Sequence, residues 1–119
     1  MDEKRHLSDR HKFPRIKSSN LMSYEITDDY HPETEGLGIT QNLSLGGLMF
    51  EVSRNFPVGT ILTVEVALFD KIIKAAGRVM HVQELSNGKY DLGMKFVDIS
   101  QEDFNILWEY LEKKKKKET

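Results

Sequence analysis

Asn42-Leu43-Ser44-Leu45-Gly46-Gly47 is the stretch of sequence that decides the fold, a short polar loop with two glycines set between strand-like segments. Glycine lacks a Cβ, so the backbone at Gly46 and Gly47 can approach a ligand or a neighbouring strand closely. Asn42 brings an amide and Ser44 a hydroxyl, and we expect both glycines to offer backbone N–H groups. The loop predicts a bend or bulge in a sheet with a polar site beside it.

A basic segment, Arg10-His11-Lys12-Phe13-Pro14-Arg15, lies upstream of this loop. An arginine guanidinium binds phosphate oxygens through paired N–H donors, pairs with guanine O6 and N7, and stacks on purine faces. If the segment faces the loop, Arg10 and Arg15 are the candidate cations of a site for an anionic guanine nucleotide.

Length and composition limit the class of protein. The chain has 119 residues with 39% hydrophobic side chains, enough for one domain with a modest core. It has no cysteine, which excludes a disulfide framework, a thiolate zinc site and a cysteine nucleophile, and suits a reducing cytoplasm. No apolar run is long enough for a membrane span, and the N-terminus leads into no apolar signal segment.

Charge is distributed unevenly along the chain. The net charge is only −2, but basic residues concentrate before residue 18 and in the run Lys113 to Lys117, whereas acidic residues outnumber basic ones in between. A broad nucleic-acid surface needs a basic body, so we expect no DNA or RNA partner. The distribution favours a small anionic ligand or local contacts, and the terminal lysines are expected to be solvated.

Hydrophobic patterning predicts a mainly β chain. Short alternating or β-branched runs separated by turn residues indicate strands at 15–27, 37–43, 48–52, 60–69, 72–85 and 90–97. In the fourth strand Ile61, Val64, Val66 and Leu68 are predicted core residues. Asn87-Gly88 predicts a type I′ hairpin turn, in which both residues have positive φ.

The spacing of apolar residues changes from that of a strand to that of a helix at Ser100. Ser100-Gln101-Glu102-Asp103 has the form of a capping box, and Phe104, Leu107, Trp108 and Leu111 then recur at helical spacing. We expect Phe104 and Trp108 to anchor this helix on the sheet, with the lysine run at its C-terminal end. Strands followed by one helix predict a small barrel or sandwich whose open end or side the helix covers.

These residues resemble a known family. The loop with Asn42, Ser44, Gly46 and Gly47 is similar to the signature loop of PilZ domains, and the segment before it looks like the family's R-x-x-x-R motif. Gly77-Arg78-Val79 in a late strand, the strand 92–96 after a hairpin and the closing helix fit the same pattern.

The resemblance implies a six-stranded antiparallel β-barrel with a C-terminal α-helix, and a bacterial, cytoplasmic effector that binds cyclic di-GMP and signals to a protein partner in trans. It implies no catalysis and no cofactor besides this ligand. The expected division is a basic arm at 1–12, the barrel with its helix at 13–112 and a lysine-rich tail at 113–119. The implied ligand-binding residues are Arg10, His11, Arg15, Asn42, Ser44, Gly46 and Gly47.

One position departs from the family pattern. Four residues before Arg15 stands His11 rather than arginine, with Arg10 just before it. This departure keeps a second hypothesis open: a PilZ-like adaptor that binds no nucleotide and acts through protein contacts. An enzyme has little support, because the sequence offers no metal cluster, no cysteine and no convincing acid–base pair.

Overall fold

The computed structural model describes residues 13–26 and 35–118, with side chains up to Lys116. The predicted arm at 1–12, with the candidate residues Arg10 and His11, lies outside the described residues, as do residues 27–34.

Seven strands and one long helix make up the described chain. They are β1 (Ile16–Lys17), β2 (Leu21–Ile26), β3 (Glu35–Leu43), β4 (Gly47–Val52), β5 (Ile61–Leu68), β6 (Lys71–Glu84), β7 (Tyr90–Ile99) and α1 (Gln101–Glu118). Helix α1 continues through the lysine run. The predicted strand at 15–27 is divided into β1 and β2, and the other predicted strands agree with the structure to within a few residues.

The strands close into a barrel. All pairings are antiparallel in the order β1-β3-β2-β5-β6-β7-β4, and an additional β3–β4 pairing joins the two ends of the sheet. β1 and β2 lie one after the other along the same edge of β3, so the closed barrel has six strands around its circumference. The predicted β-barrel with a C-terminal helix is confirmed.

The core fills the barrel through strict alternation. In β5 the even-numbered residues point inward, so the predictions for Val64, Val66 and Leu68 are confirmed, and Leu62 joins them. The prediction for Ile61 is wrong, because an odd-numbered position on this strand faces outward and is only partly buried.

The helix begins with half of the predicted capping box. The Ser100 Oγ accepts a hydrogen bond from the Asp103 backbone N–H at 3.1 Å. The Asp103 carboxylate does not complete the box; its Oδ2 accepts from the Lys74 backbone N–H at 3.0 Å. Asp103 therefore fastens the first turn of α1 to strand β6.

The buried face of α1 differs from the predicted one. Leu107 and Leu111 are buried, as expected, but Trp108 is 48% exposed and Phe104 is only partly buried. The third buried residue is Tyr110, whose ring lies 4.6 Å from that of Phe69. The predicted anchor at Trp108 is wrong, because the contact arc of the helix is centred between Leu107 and Tyr110 and leaves Trp108 on its flank.

A buried polar network explains why Tyr110 points inward and why β1 and β2 are separate. The Tyr110 hydroxyl lies 2.7 Å from Ser18 Oγ and accepts from Asn20 Nδ2 at 3.0 Å. Asn20 Nδ2 also donates to the Ala67 carbonyl at 2.8 Å, and Thr40 Oγ1 donates to the Ser18 carbonyl at 2.7 Å. The chain between β1 and β2 thus bonds to the helix and to its neighbours, and fully paired polar groups are tolerated in a core.

The predicted type I′ turn is wrong in detail. A hairpin does form at this place, but of Asn87 and Gly88 only Gly88 has positive φ, at 83°. The loop is one residue longer than a type I′ turn, with Leu85 N–H donating to the Lys89 carbonyl and Gly88 N–H to the Leu85 carbonyl. Asn87 stabilises the turn through its side chain, whose Oδ1 accepts a hydrogen bond from the Lys89 N–H at 2.9 Å.

Candidate functional site

The polar loop brings two strands unusually close. Gly47 opens β4 and pairs with Lys95 of β7. A Cβ on Gly47 would lie 2.0 Å from the Met94 carbonyl oxygen, a distance that no side chain tolerates. Glycine is therefore required here because the β7 backbone occupies the space of a side chain.

Ser44 holds this loop in shape. Its Oγ accepts from the N–H groups of Gly46 at 3.1 Å and Gly47 at 3.2 Å, and it lies 3.3 Å from the Gly47 carbonyl, to which it donates. The Ser44 N–H donates to the same carbonyl at 2.9 Å. The expectation that the two glycine N–H groups face a ligand is wrong, because both donate to Ser44.

A pocket of about 440 Å³ opens beside the loop. Its wall contains Arg15, Asn42, Ser44, Gly46 and Gly47, which are all the predicted site residues that the structure describes. The rest of the lining is Phe13, Pro14, Leu48, Met49, Met80, His81, Gly93, Met94 and Lys95. The structure thus brings the described candidates together, and their contact with a ligand stays a prediction.

Arg15 reaches the pocket because of strand pairing. Ile16 pairs with Leu43, which places the preceding Arg15 beside Ser44. Its exposed guanidinium donates to the Met49 sulfur over a distance of 3.8 Å. A thioether is a weak hydrogen-bond acceptor, so the Arg15 guanidinium loses little free energy when an anionic oxygen replaces the sulfur.

Sequence reasoning missed His81 and Lys95 as pocket residues. By simple alternation His81 belongs with the buried Val79, but the register of β6 against β7 shifts between Val79 and His81. This bulge turns His81 outward and places its ring over Gly93, where a Cβ would lie 2.1 Å from the imidazole. A glycine opposite a strand histidine was the available signal.

The pocket is cationic on an otherwise acidic body. Arg15 and Lys95 line it together with His81, and none of its described lining residues carries a carboxylate. Met49 and Met80 add polarisable apolar surface, which packs well against flat ring systems. The arrangement suits a ligand that combines negative charge with planar rings.

Other site classes receive no support from the described residues. Between 13–26 and 35–118, no group of three or more histidine, cysteine or acidic residues is placed to hold a metal ion. Within the same ranges, no helix combines the length and apolar character needed to cross a bilayer.

Barrel, helix and pocket together define a small β-barrel domain with a cationic surface pocket. The family model of the PilZ domain matches residues 9–113, and the chain belongs to the PilZ family. Among curated proteins, no sequence matches this chain.

Solved structures share the fold at low sequence identity. The inhibitor of motility MotI/DgrA of Bacillus subtilis is 17% identical with a TM-score of 0.74, over 87% of this chain and 50% of that one. The PilZ domain of YcgR from Escherichia coli, solved with c-di-GMP, is 13% identical with a TM-score of 0.70, over 91% and 93%. The MrkH–c-di-GMP complex of K. pneumonia is 14% identical with a TM-score of 0.66, over 84% and 49%. This chain thus spans about half the length of MotI and of MrkH.

The two glycines of the loop are predicted to differ in their tolerance of a methyl group. Gly47→Ala forces β4 away from the β7 backbone and should lower the free energy of unfolding by about 3 kcal/mol. Gly46→Ala meets the ring of Phe13 at 3.0 Å and the Ser44 Oγ at an ordinary contact distance of 3.8 Å, and should cost less than about 1 kcal/mol because the ring can shift. Urea unfolding measures both, and equal losses would contradict the assigned strand contact.

Proposed function

We propose that this chain is a receptor for cyclic di-GMP and that the bound ligand changes its contacts with a protein partner in trans. The observation that carries the proposal is the position of Arg15 in one pocket with Asn42 and the loop of Ser44. Support comes from the chain's membership of the PilZ family and from its likeness to YcgR and MrkH structures that contain this nucleotide.

The ligand's chemistry matches the pocket. Cyclic di-GMP carries two phosphodiester charges and two guanine bases, and Arg15 is a donor for either a phosphate or the O6 and N7 of guanine. Lys95 adds a point charge for phosphate, and the Asn42 amide has donor and acceptor atoms for a base edge or a phosphate oxygen. Met49 and Met80 would pack against a base face.

The remaining proposed ligand contacts differ in kind. Ser44, Gly46 and Gly47 would form the floor that the ligand lies against, with Ser44 acting mainly through the shape of the loop. Arg10 and His11 lie outside the described residues, and we propose that their segment covers the ligand from the other side.

The proposed role is that of a sensor without catalytic activity. The charged groups of the described lining, Arg15 and Lys95, are suited to binding and positioning an anion, which is what a sensor requires. A receptor for a bacterial second messenger is expected to act in the cytoplasm, through contacts that the ligand creates or removes.

A second candidate function is a nucleotide-free PilZ adaptor. The specific observation in its favour is His11 at the position of the first family arginine. Neutral imidazole is a weaker phosphate ligand than guanidinium, so this substitution lowers the affinity that the arm can supply. The intact loop and the cationic pocket favour the receptor.

Isothermal titration calorimetry with cyclic di-GMP tests the receptor. The wild-type chain should saturate at micromolar ligand, whereas Arg15→Ala should lose about 100-fold in affinity or bind undetectably, because it removes a charge-assisted bidentate donor. Arg54→Ala is the matched control, since Arg54 lies over the Phe56 ring at 5.6 Å and does not line the pocket.

Two outcomes of this titration would contradict the receptor. Unchanged affinity in Arg15→Ala would remove Arg15 from the site. No heat with the wild-type chain at high ligand concentration would favour the adaptor.

Affinity is predicted to rise as the pH falls from about 8 to 6, because a phosphate beside His11 favours the cationic imidazole and raises its pKa on binding. The expected gain is up to about tenfold, the equivalent of one pKa unit. His11→Gln should abolish the pH dependence, and His81→Gln should preserve it. If His81→Gln abolished the pH dependence and His11→Gln preserved it, His81 and not His11 would contact the phosphate. An affinity that does not change with pH in the wild-type chain would exclude both imidazoles from the phosphate contacts.

A further inference from the structure

The carboxylate of Asp91 is an exception among the described residues. Its Oδ1 is the one buried side-chain nitrogen or oxygen atom in the described ranges that has no hydrogen-bond partner. A buried carboxylate oxygen without a donor is costly, so the described residues leave a donor to be supplied. Since Asp91 as a whole is only partly buried, that donor can approach from the outer face of β7.

A second carboxylate stands directly beside it. Asp91 of β7 pairs with Glu51 of β4, and like charges at opposed positions destabilise a sheet. Within the described ranges the one cation that reaches either of them is Lys89, whose Nζ lies 3.9 Å from Glu51 Oε2. One lysine for two carboxylates leaves a net negative charge. We call Glu51 and Asp91 the carboxylate pair.

The carboxylate pair adjoins the cationic pocket. Met49 of β4 and Gly93 of β7 line the pocket, and Glu51 and Asp91 stand two residues beyond them on the same strands. Residues two apart on a strand face the same side of the sheet. Pocket and carboxylate pair therefore share one outer face of the barrel, with the carboxylates at the end away from Gly47.

The described chain begins at the opposite end of the pocket. Phe13 lines the pocket, and a Cβ on Gly46 would lie 3.0 Å from its ring. The next residue, Gly47, pairs with Lys95, which lies four residues before the carboxylate pair in register, about 13 Å along the strand. Arg10 precedes Phe13 by three residues, an extended span of about 10 Å, and its long side chain adds the remainder. Arg10 can therefore reach the carboxylate pair across the pocket.

The charges along this path favour the carboxylate pair while the pocket is empty. Arg15 and Lys95 line the pocket and repel another guanidinium, and no described lining residue carries a carboxylate. A guanidinium binds a carboxylate through two parallel charge-assisted hydrogen bonds, which is the donor that Asp91 lacks. An anionic ligand in the pocket reverses this balance, because it neutralises the pocket cations and offers Arg10 its own oxygens.

We infer that the carboxylate pair is a docking site for Arg10 of this chain's own N-terminal arm, occupied while the pocket is empty. The arm then lies across the pocket, and the ligand must draw Arg10 away from Asp91. This contact lowers the apparent affinity for the ligand by the fraction of chains in which the arm is docked. The competition rests on the proposed receptor function, whereas the docking of the arm does not.

Other occupants fit these observations less well. A metal ion has no set of three or more histidine, cysteine or acidic ligands among the described residues. A separate basic protein would compete with a cation that is tethered within reach and is therefore present at a high effective concentration.

A spin label in the ligand-free protein tests the docking. The chain has no cysteine, so Ser8→Cys carries a nitroxide at a single place, two residues before Arg10. The amide signals of residues 51 and 89–91 should lose most of their intensity. Neutralising the carboxylate pair with Glu51→Gln and Asp91→Asn together should restore these signals, because the arm then has no anion to hold it.

The matched control removes the same charge elsewhere. Glu65→Gln with Asp98→Asn changes two exposed carboxylates that do not line the pocket, and the signal loss should persist. Circular dichroism verifies the fold of each variant. Full intensity at residues 51 and 89–91 before neutralisation, or a loss that survives it, would overturn the inference.

Calorimetry with cyclic di-GMP tests the competition. Neutralising the carboxylate pair should tighten binding about fivefold, the worth of one exposed ion pair, and should bring no gain in an Arg10→Gln background. The Glu65→Gln, Asp98→Asn control should bind like the wild type. Unchanged or weaker binding would contradict the competition, and weaker binding would mean that these carboxylates contact the ligand. If the wild-type chain binds no cyclic di-GMP, the receptor function fails, and the spin label alone decides whether Arg10 docks.

Discussion

The close approach of β4 to β7 at Gly47 is the constraint on which the rest of the structure depends. Because a Cβ at Gly47 would lie 2.0 Å from the Met94 carbonyl oxygen, β4 can pack this closely on β7 only with glycine at this position. The Ser44 hydroxyl holds the loop in shape by hydrogen bonding to the backbone of Gly46 and Gly47, and so positions Gly47 against β7. Gly47 and Met94 both line the pocket, so the contact between β4 and β7 also shapes the site.

The same region is connected to the helix. Arg15 precedes β1, and the residue after β1, Ser18, meets the Tyr110 hydroxyl at 2.7 Å. A side chain at the pocket is therefore only three residues from a buried contact with α1. The strand pairing that positions Arg15 at the pocket thus lies next to the contact between the barrel and the helix.

Sequence patterns predicted the strands, the barrel and the loop because each rests on local chemistry: β-branched runs, turn residues and paired glycines. They failed where packing between distant elements decides. Ile61 is a different case: it was assigned inward for its apolar side chain although it is out of phase with Val64, Val66 and Leu68, and strict alternation along β5 turns it outward. Trp108 was preferred over Tyr110 because the sequence around the helix does not reveal that Ser18 and Asn20 form hydrogen bonds with the Tyr110 hydroxyl. His81 entered the pocket through a bulge that only the β6–β7 register shows.

The most direct test of the central claim is a map of amide chemical shifts during titration with cyclic di-GMP. If the loop locked by Ser44 is the floor of the ligand site, the largest changes should fall on Arg15, on residues 44–47 and on the strand 93–95. Amides of Leu21 and Ile39, which are exposed on β2 and β3 and do not line the pocket, should change little. Largest changes on the outer face of β2 and β3, with the loop unaffected, would contradict the account.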